Sequence, residues 1–300
     1  MAENPHCVNN DRTVNVQDSV KSVSKHGLLR STAVFGSMTF LSRMAGLARD
    51  LLQASLFGTG AAVSAFVIAY RIPNYLRRIF AEGSFSSAFV PVLSELREKG
   101  DEAQIQDFLN HIAGALLAAV LLVTACGIAL SPWLARLFLL LADKDSELVA
   151  LTAAMMRITF PYLAFISMTA LAGAVMNSFR HFGLPAFIPV LHNLAIIFAI
   201  LVLAQYFEVP AFALAWGVFL AGLLQFCVMW PALRRFGLKP HFKLNFKHPG
   251  VQRVFKLMLP TIFSSSVAQI NLLVGTIFAS LLVVQAQSWL YYSDRLTELP

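Results

Sequence analysis

Apolar residues run in blocks of about 20 along the chain, and short polar or proline-bearing breaks divide them. The pattern predicts helical spans near 28–57, 62–92, 106–131, 147–178, 184–206, 210–233 and 251–283, with a further one opening near 288. A block of that length crosses a hydrocarbon core of roughly 30 Å as an α-helix. No period-2 alternation suggests a membrane barrel, so the expected fold class is all-α, a polytopic transmembrane helix bundle. The breaks fit the chemistry of helix ends: "SPW" follows the third span, "GLPAF" precedes the fifth and "EVPAF" precedes the sixth.

Composition supports the same reading. Hydrophobic residues make up 57% of the 300 and charged residues only 13%, with mean hydropathy +0.67, whereas a soluble domain is about 25% charged. Lys and Arg number 23 against 16 acids, a net charge of +7. In a membrane protein that excess is sorted by depth before nucleic acid is considered, and no nucleic-acid partner is expected. Basic residues alternate between loops. Lys21, Lys25 and Arg30 lie in the tail and at the opening of the first span, the 57–62 loop has no Lys or Arg, and "RRFGLKPHFKLNFKHPG" after the sixth span is strongly basic. The positive-inside rule then places the N-terminus in the cytoplasm. Residues 1–27 lack an apolar core of their own and read as a flexible cytoplasmic tail, not a signal peptide. Cys7, Cys126 and Cys227 are odd in number and far apart, so no disulfide framework is expected.

The first two spans carry charges that lipid does not tolerate cheaply. A charge at mid-bilayer costs on the order of 2.5–3.5 kcal/mol, while a Leu or Ile returns only roughly 0.3–0.6. "FLSRMAGLARD" holds Arg43, Arg49 and Asp50; "YRIPNYLRRIFAEGSF" holds Arg71, Arg77, Arg78 and Glu82; and the last span opens with Asp294 and Arg295. Seven residues separate Arg43 from Asp50, and likewise Ser42 from Arg49, which puts each pair about 20° apart on a helix. The two arginines themselves lie some 120° apart, so Gly46 is expected to let the helix bend or unwind between them. Arg78 and Glu82, four apart, are expected to pair.

The candidate substrate-binding set is Arg43, Arg49, Arg77 and Arg295, with Ser42, Asp50, Arg78, Glu82 and Asp294 as cavity support. Guanidinium forks match phosphate oxygens, so the expected ligand is anionic and phosphorylated. His111 and His192 lie in spans and are expected to be packing or hydrogen-bonding histidines, and Arg157 is expected to be structural. No metal site, cofactor or enzymatic centre is expected.

At these residues the sequence resembles the lipid II flippases of the MviN/MurJ family, within the multidrug, oligosaccharidyl-lipid and polysaccharide exporter group. The matching stretches are "SRMAGLARD", "AYRIPNYLRRIFAEGSFSSAFVPVL", "RITFPYL", "GTIFAS" and "YYSDRL". The resemblance implies two six-helix lobes and two further helices working by alternating access, of which 28–236 is the first lobe. Residues 237–250 are then a basic cytoplasmic loop, and 251–300 are helix seven and the start of helix eight in a chain that reads as truncated. It implies movement of an undecaprenyl-pyrophosphate-linked peptidoglycan precursor from inner to outer leaflet of the bacterial inner membrane. The implied partners are that lipid-linked pyrophosphate, membrane lipids and cell-wall synthesis proteins. It also assigns the functional arginines to Arg43, Arg49, Arg77 and Arg295.

Two positions depart from the family pattern: Ser64 stands where relatives usually carry Asp, and Gly275 where many carry an acid or amide. An inside-negative potential, worth about 2.3 kcal/mol per charge per 100 mV, would bias an unloaded cationic cavity inward. The alternatives are an exporter of another polyprenyl-pyrophosphate-linked glycan, or an inactive fragment acting as a membrane scaffold. An exporter of cationic drugs would need acids where these arginines stand.

Overall fold

The computed structural model describes residues 25–78, 84–139, 146–236, 241–280, 282 and 285–297. Among them the regular structure is helical: α1 (Lys25–Phe57), α2 (Ala61–Arg77), α3 (Ser84–Glu98), α4 (Glu102–Leu139), α5 (Ser146–Thr159), α6 (Tyr162–Ser178), α7 (Gly183–Phe198), α8 (Phe212–Ala232), α9 (Pro249–Ser280) and α10 (Ala286–Thr297). Helix α1 begins inside the expected tail, at Lys25. Four stretches are long and apolar enough to cross a membrane: Glu102–Leu139, Ser146–Ser178, Gly183–Tyr206 and Phe212–Ala232. These answer to the expected third, fourth, fifth and sixth spans.

The expected span 62–92 is divided. Its parts are α2, which ends at Arg77, and α3, which starts at Ser84. Glu82 and Gly83 lie outside the described residues, and the expected Arg78–Glu82 pair with them. The two parts serve different cores. Val63 to Ala69 of α2 pack with the far end of α4, α5 and the start of α8. Phe85, Phe89 and Leu93 of α3 pack with the near end of α4, the far half of α6 and the start of α9. Phe85, Phe89 and Phe108 form a stack with centroids 5.2 and 5.7 Å apart.

The fourth span is also two helices, because Pro161 has no N–H to continue the ladder and the chain turns at Phe160–Pro161. The Phe160 ring occupies the space a side chain at Gly127 of α4 would need. Of this span's apolar window 78% is buried, a share that makes α5–α6 the axis of the bundle. Arg157 donates from Nε to Ser131 Oγ at 3.1 Å, joining α5 to α4.

Helix α4 has 38 residues, about 57 Å at 1.5 Å per residue, so it overruns a hydrocarbon core of roughly 30 Å. Along its polar first turns lies segment 241–245, which has no regular secondary structure. Asn110 holds that segment twice: its carbonyl accepts the Lys243 N–H at 3.1 Å, and its Oδ1 accepts the His241 N–H at 2.7 Å. One turn on, the Lys243 carbonyl sits against Gly114, in the space a methyl group would occupy. Nearby, Arg253 of α9 meets Glu95 of α3 at 2.6 Å. The Lys99 hydrogen bond, followed by Arg253, holds the Glu95 carboxyl below the usual carboxylate range.

Gly114→Ala should therefore displace segment 241–245 at a cost of about 1–3 kcal/mol, as overpacking does. Thermal unfolding in detergent and proteolysis of the segment would read this out. Gly36→Ala, where nothing lies within 4 Å, should leave both unchanged or slightly improved. Equal behaviour of the two variants would contradict the packing.

Candidate functional site

A cavity of about 730 Å³ opens between α1, α2, α6, α7 and α8, with Tyr292 of α10 at its margin. Helix α1 supplies Ser42, Arg43, Arg49 and Asp50; α2 supplies Asn74, Arg77 and Arg78; α7 supplies His192 and Asn193. Among the described residues, four guanidinium groups and one carboxylate thus line a common space whose remaining wall is largely aromatic and aliphatic, with Tyr70, Tyr162 and Ile166 in it.

The arginines differ in setting. Arg49 is 7% exposed and sits in a closed set of partners. Its Nε and Nη2 donate to Asp50 Oδ1 at 2.9 and 2.6 Å, and its Nη1 donates to Asn193 Oδ1 at 2.9 Å. Tyr291 Oη adds a donor to Asp50 at 3.3 Å. Asn193 completes the brace by donating from Nδ2 to the Ser42 carbonyl at 3.0 Å. One ion pair therefore ties α1 to α7 and α10. Arg43 is exposed, and Arg77 and Arg78 are half-buried. Arg77 Nε donates to Asn74 Oδ1, 3.1 Å away on the preceding turn of α2, which aims its guanidinium along the helix.

Helix α1 runs unbroken through Gly46, so the expected unwinding there does not occur. A methyl on Gly46 would meet the Asn193 amide at an ordinary 3.5 Å. Arg43 and Arg49 both line the cavity because its lining takes in a broad arc of α1, from Arg49 and Ser42 round to Leu51, while α7 packs against that helix.

Of the sequence-derived set, Ser42, Arg43, Arg49, Asp50, Arg77 and Arg78 come together at this cavity. Asp294 is exposed on α10 and is not among the cavity-lining residues. Arg295 follows it on α10, but its side chain, like Glu82, lies outside the described residues. Asn193, Asn74, Tyr291 and Tyr292 were not singled out from the sequence. Asn193 did leave a signal there, as an amide inside the apolar run 184–206, where a polar side chain needs a partner.

Helix α10 is seated on α2 through side-chain hydrogen bonds. Ser64 and Ser288, both fully buried, share a hydrogen bond of 2.7 Å, and Arg71 Nη1 reaches Gln287 Oε1 at 3.4 Å. The serine at the departing position 64 thus has a hydroxyl partner of its own kind.

A protein-family model described as "Lipid II flippase MurJ" matches residues 53–300. A "Probable lipid II flippase MurJ" of Haemophilus influenzae is 44% identical over 270 residues, covering 88% of this chain and 53% of the relative. A "Lipid II flippase MurJ" of Burkholderia cenocepacia is 41% identical, covering 91% of this chain and 54% of the relative. Among solved structures, "Lipid II flippase MurJ, inward closed conformation" superposes with TM-score 0.76 at 27% identity, covering 89% of this chain and 55% of that one. The chain spans about half the length of the curated relatives it matches. With this bundle, this cavity and these relatives, the chain belongs to the lipid II flippase MurJ family.

Proposed function

We propose that this chain forms the first lobe of a lipid II flippase and that its cavity receives the diphosphate of a polyprenyl-linked peptidoglycan precursor. The observation that carries this reading is the surplus, among the described residues, of four guanidinium groups over one carboxylate in a single cavity inside an apolar bundle. A doubly charged group answers that surplus, and a low-dielectric surround strengthens the attraction. The volume suits a diphosphate and a sugar; the polyprenyl tail would remain in lipid.

The cations divide the work. Arg43, Arg77 and Arg78 contact the diphosphate, because they are half-buried or exposed at the cavity wall. Arg49 is a positioning residue: neutralised by Asp50, it keeps α1, α7 and α10 in register around the anion. Arg295, on α10, joins the first group on the strength of the family resemblance alone. In this reading 28–236 is the first lobe and 237–250 the basic loop leading to the second. The N-terminus is cytoplasmic by the distribution of Lys and Arg between loops. Voltage acts on whatever cavity charge the substrate leaves uncompensated.

The brace has a signature of its own. Asp50→Ala leaves Arg49 buried beside a lost partner and should cost about 3–5 kcal/mol, whereas the double replacement Arg49→Met with Asp50→Leu should recover much of that loss. Unfolding of the three proteins in detergent measures both; a double variant as unstable as Asp50→Ala would contradict the assignment.

Binding of undecaprenyl diphosphate to purified protein tests the cavity. Arg43→Ala and Arg77→Ala should each weaken binding about ten- to a hundredfold, the size of a hydrogen bond to a charged group, and the Lys variants should retain part of it. Unchanged affinity in both Ala variants would overturn the reading.

A further inference from the structure

Away from the cavity, a second cluster of ionisable groups stands at the membrane edge. Asp107 and His111 are four apart on α4 and therefore on one face, and His248 comes from the residue just before α9. The Asp107 carboxylate divides its two oxygens. Oδ2 lies 3.3 Å from His111 Nδ1 and 3.4 Å from His248 Nε2, while Oδ1 turns outward, 3.7 Å from Lys243 Nζ. The candidate ligand atoms of the three residues all lie within 4.8 Å of one another. His248 Nδ1 is buried without a hydrogen-bond partner, so Asp107 is the polar contact that orients the ring, through Nε2.

We propose that Asp107, His111 and His248 form a binding site for a first-row divalent cation of the zinc type, one that clips segment 241–248 to α4. Two imidazoles and a carboxylate are the donor set such ions take. The distances match as well. Ligands about 2.0–2.1 Å from a tetrahedral zinc stand about 3.3–3.4 Å from each other, which is the spacing on both sides of Asp107 Oδ2. The fourth position falls to water from the adjoining cavity of about 560 Å³, which Asp107 and His248 line together with Gln104 and Glu95.

Two features set the conditions of binding. The imidazoles stack at 4.6 Å with planes 12° apart, so taking up the ion turns them about χ2, a soft torsion for histidine. His111 Nδ1 also lies 2.9 Å from the Asp107 carbonyl; coordination exchanges that contact for the metal. Lys243, more than half exposed, competes for the carboxylate and can swing into water.

The site is independent of the diphosphate reading, since none of its three residues lines the arginine cavity. Calorimetry with Zn²⁺ on tag-free protein in detergent tests it. One saturable ion per chain is expected, and Asp107→Asn, His111→Gln and His248→Gln should each weaken binding at least tenfold. The Co²⁺ form should show the intense visible bands of a four-coordinate ion. Zn²⁺ should also slow proteolysis of segment 241–250 in the unmodified protein, a readout that does not depend on any variant folding. Absence of a saturable ion would overturn the proposal. So would affinity indifferent to all three substitutions, or protection of the segment that follows pH alone and ignores Zn²⁺.

Discussion

A guanidinium inside a helix bundle must be partnered or must face a space that holds water or an anion, because the surrounding hydrocarbon solvates neither state. Much of this structure follows from how that demand is met at Arg49. The side chain is almost fully buried, and three elements meet there: Asp50 on its own helix, Asn193 on α7 and Tyr291 on α10. Arg43, Arg77 and Arg78 line the same cavity, and in the proposed reading they are the charge that a ligand answers. The separation is one of burial, since the residue that holds the helices is the one withdrawn from the open space.

The same constraint shapes the backbone. Irregular chain is placed where protein or the membrane edge can satisfy it. The turn at Phe160–Pro161 is closed by the Phe160 N–H to Met156 and the Leu163 N–H to Phe160. Segment 241–245 donates the His241 and Lys243 N–H groups to Asn110. Divided helices also let one span serve two cores, α2 in one and α3 in the other, and so bring Arg77 and Arg78 to the end of a helix at the cavity.

The spans that could be read from the sequence are those whose apolar runs are long and lightly charged, α4 to α8, because bilayer thickness sets their length regardless of their neighbours. The clustering of Arg43, Asp50, Arg77 and Arg78 was also legible, since lone charges in apolar runs must find one another or water. The route was not. A helix considered by itself puts Arg43 and Arg49 on different faces, which suggested a bend or unwinding at Gly46; the cavity lining instead takes in both faces of an intact α1, a property of the tertiary packing. Asn193 and Tyr291 could not be joined to Arg49 for the same reason. His111 reads from the sequence as a packing or hydrogen-bonding histidine, and it does lie at 2.9 Å from the Asp107 carbonyl. Its neighbour across the fold, His248, arrives only when the segment before α9 docks on α4.

The most direct test of the central claim is an experimental structure of the protein with a polyprenyl diphosphate bound. The account predicts phosphate oxygens within hydrogen-bond reach of Arg43, Arg77 and Arg78, with Arg49 still on Asp50 and Asn193. Phosphates seated elsewhere, or Arg49 swung from Asp50 onto the ligand while the other three stay clear of it, would contradict it.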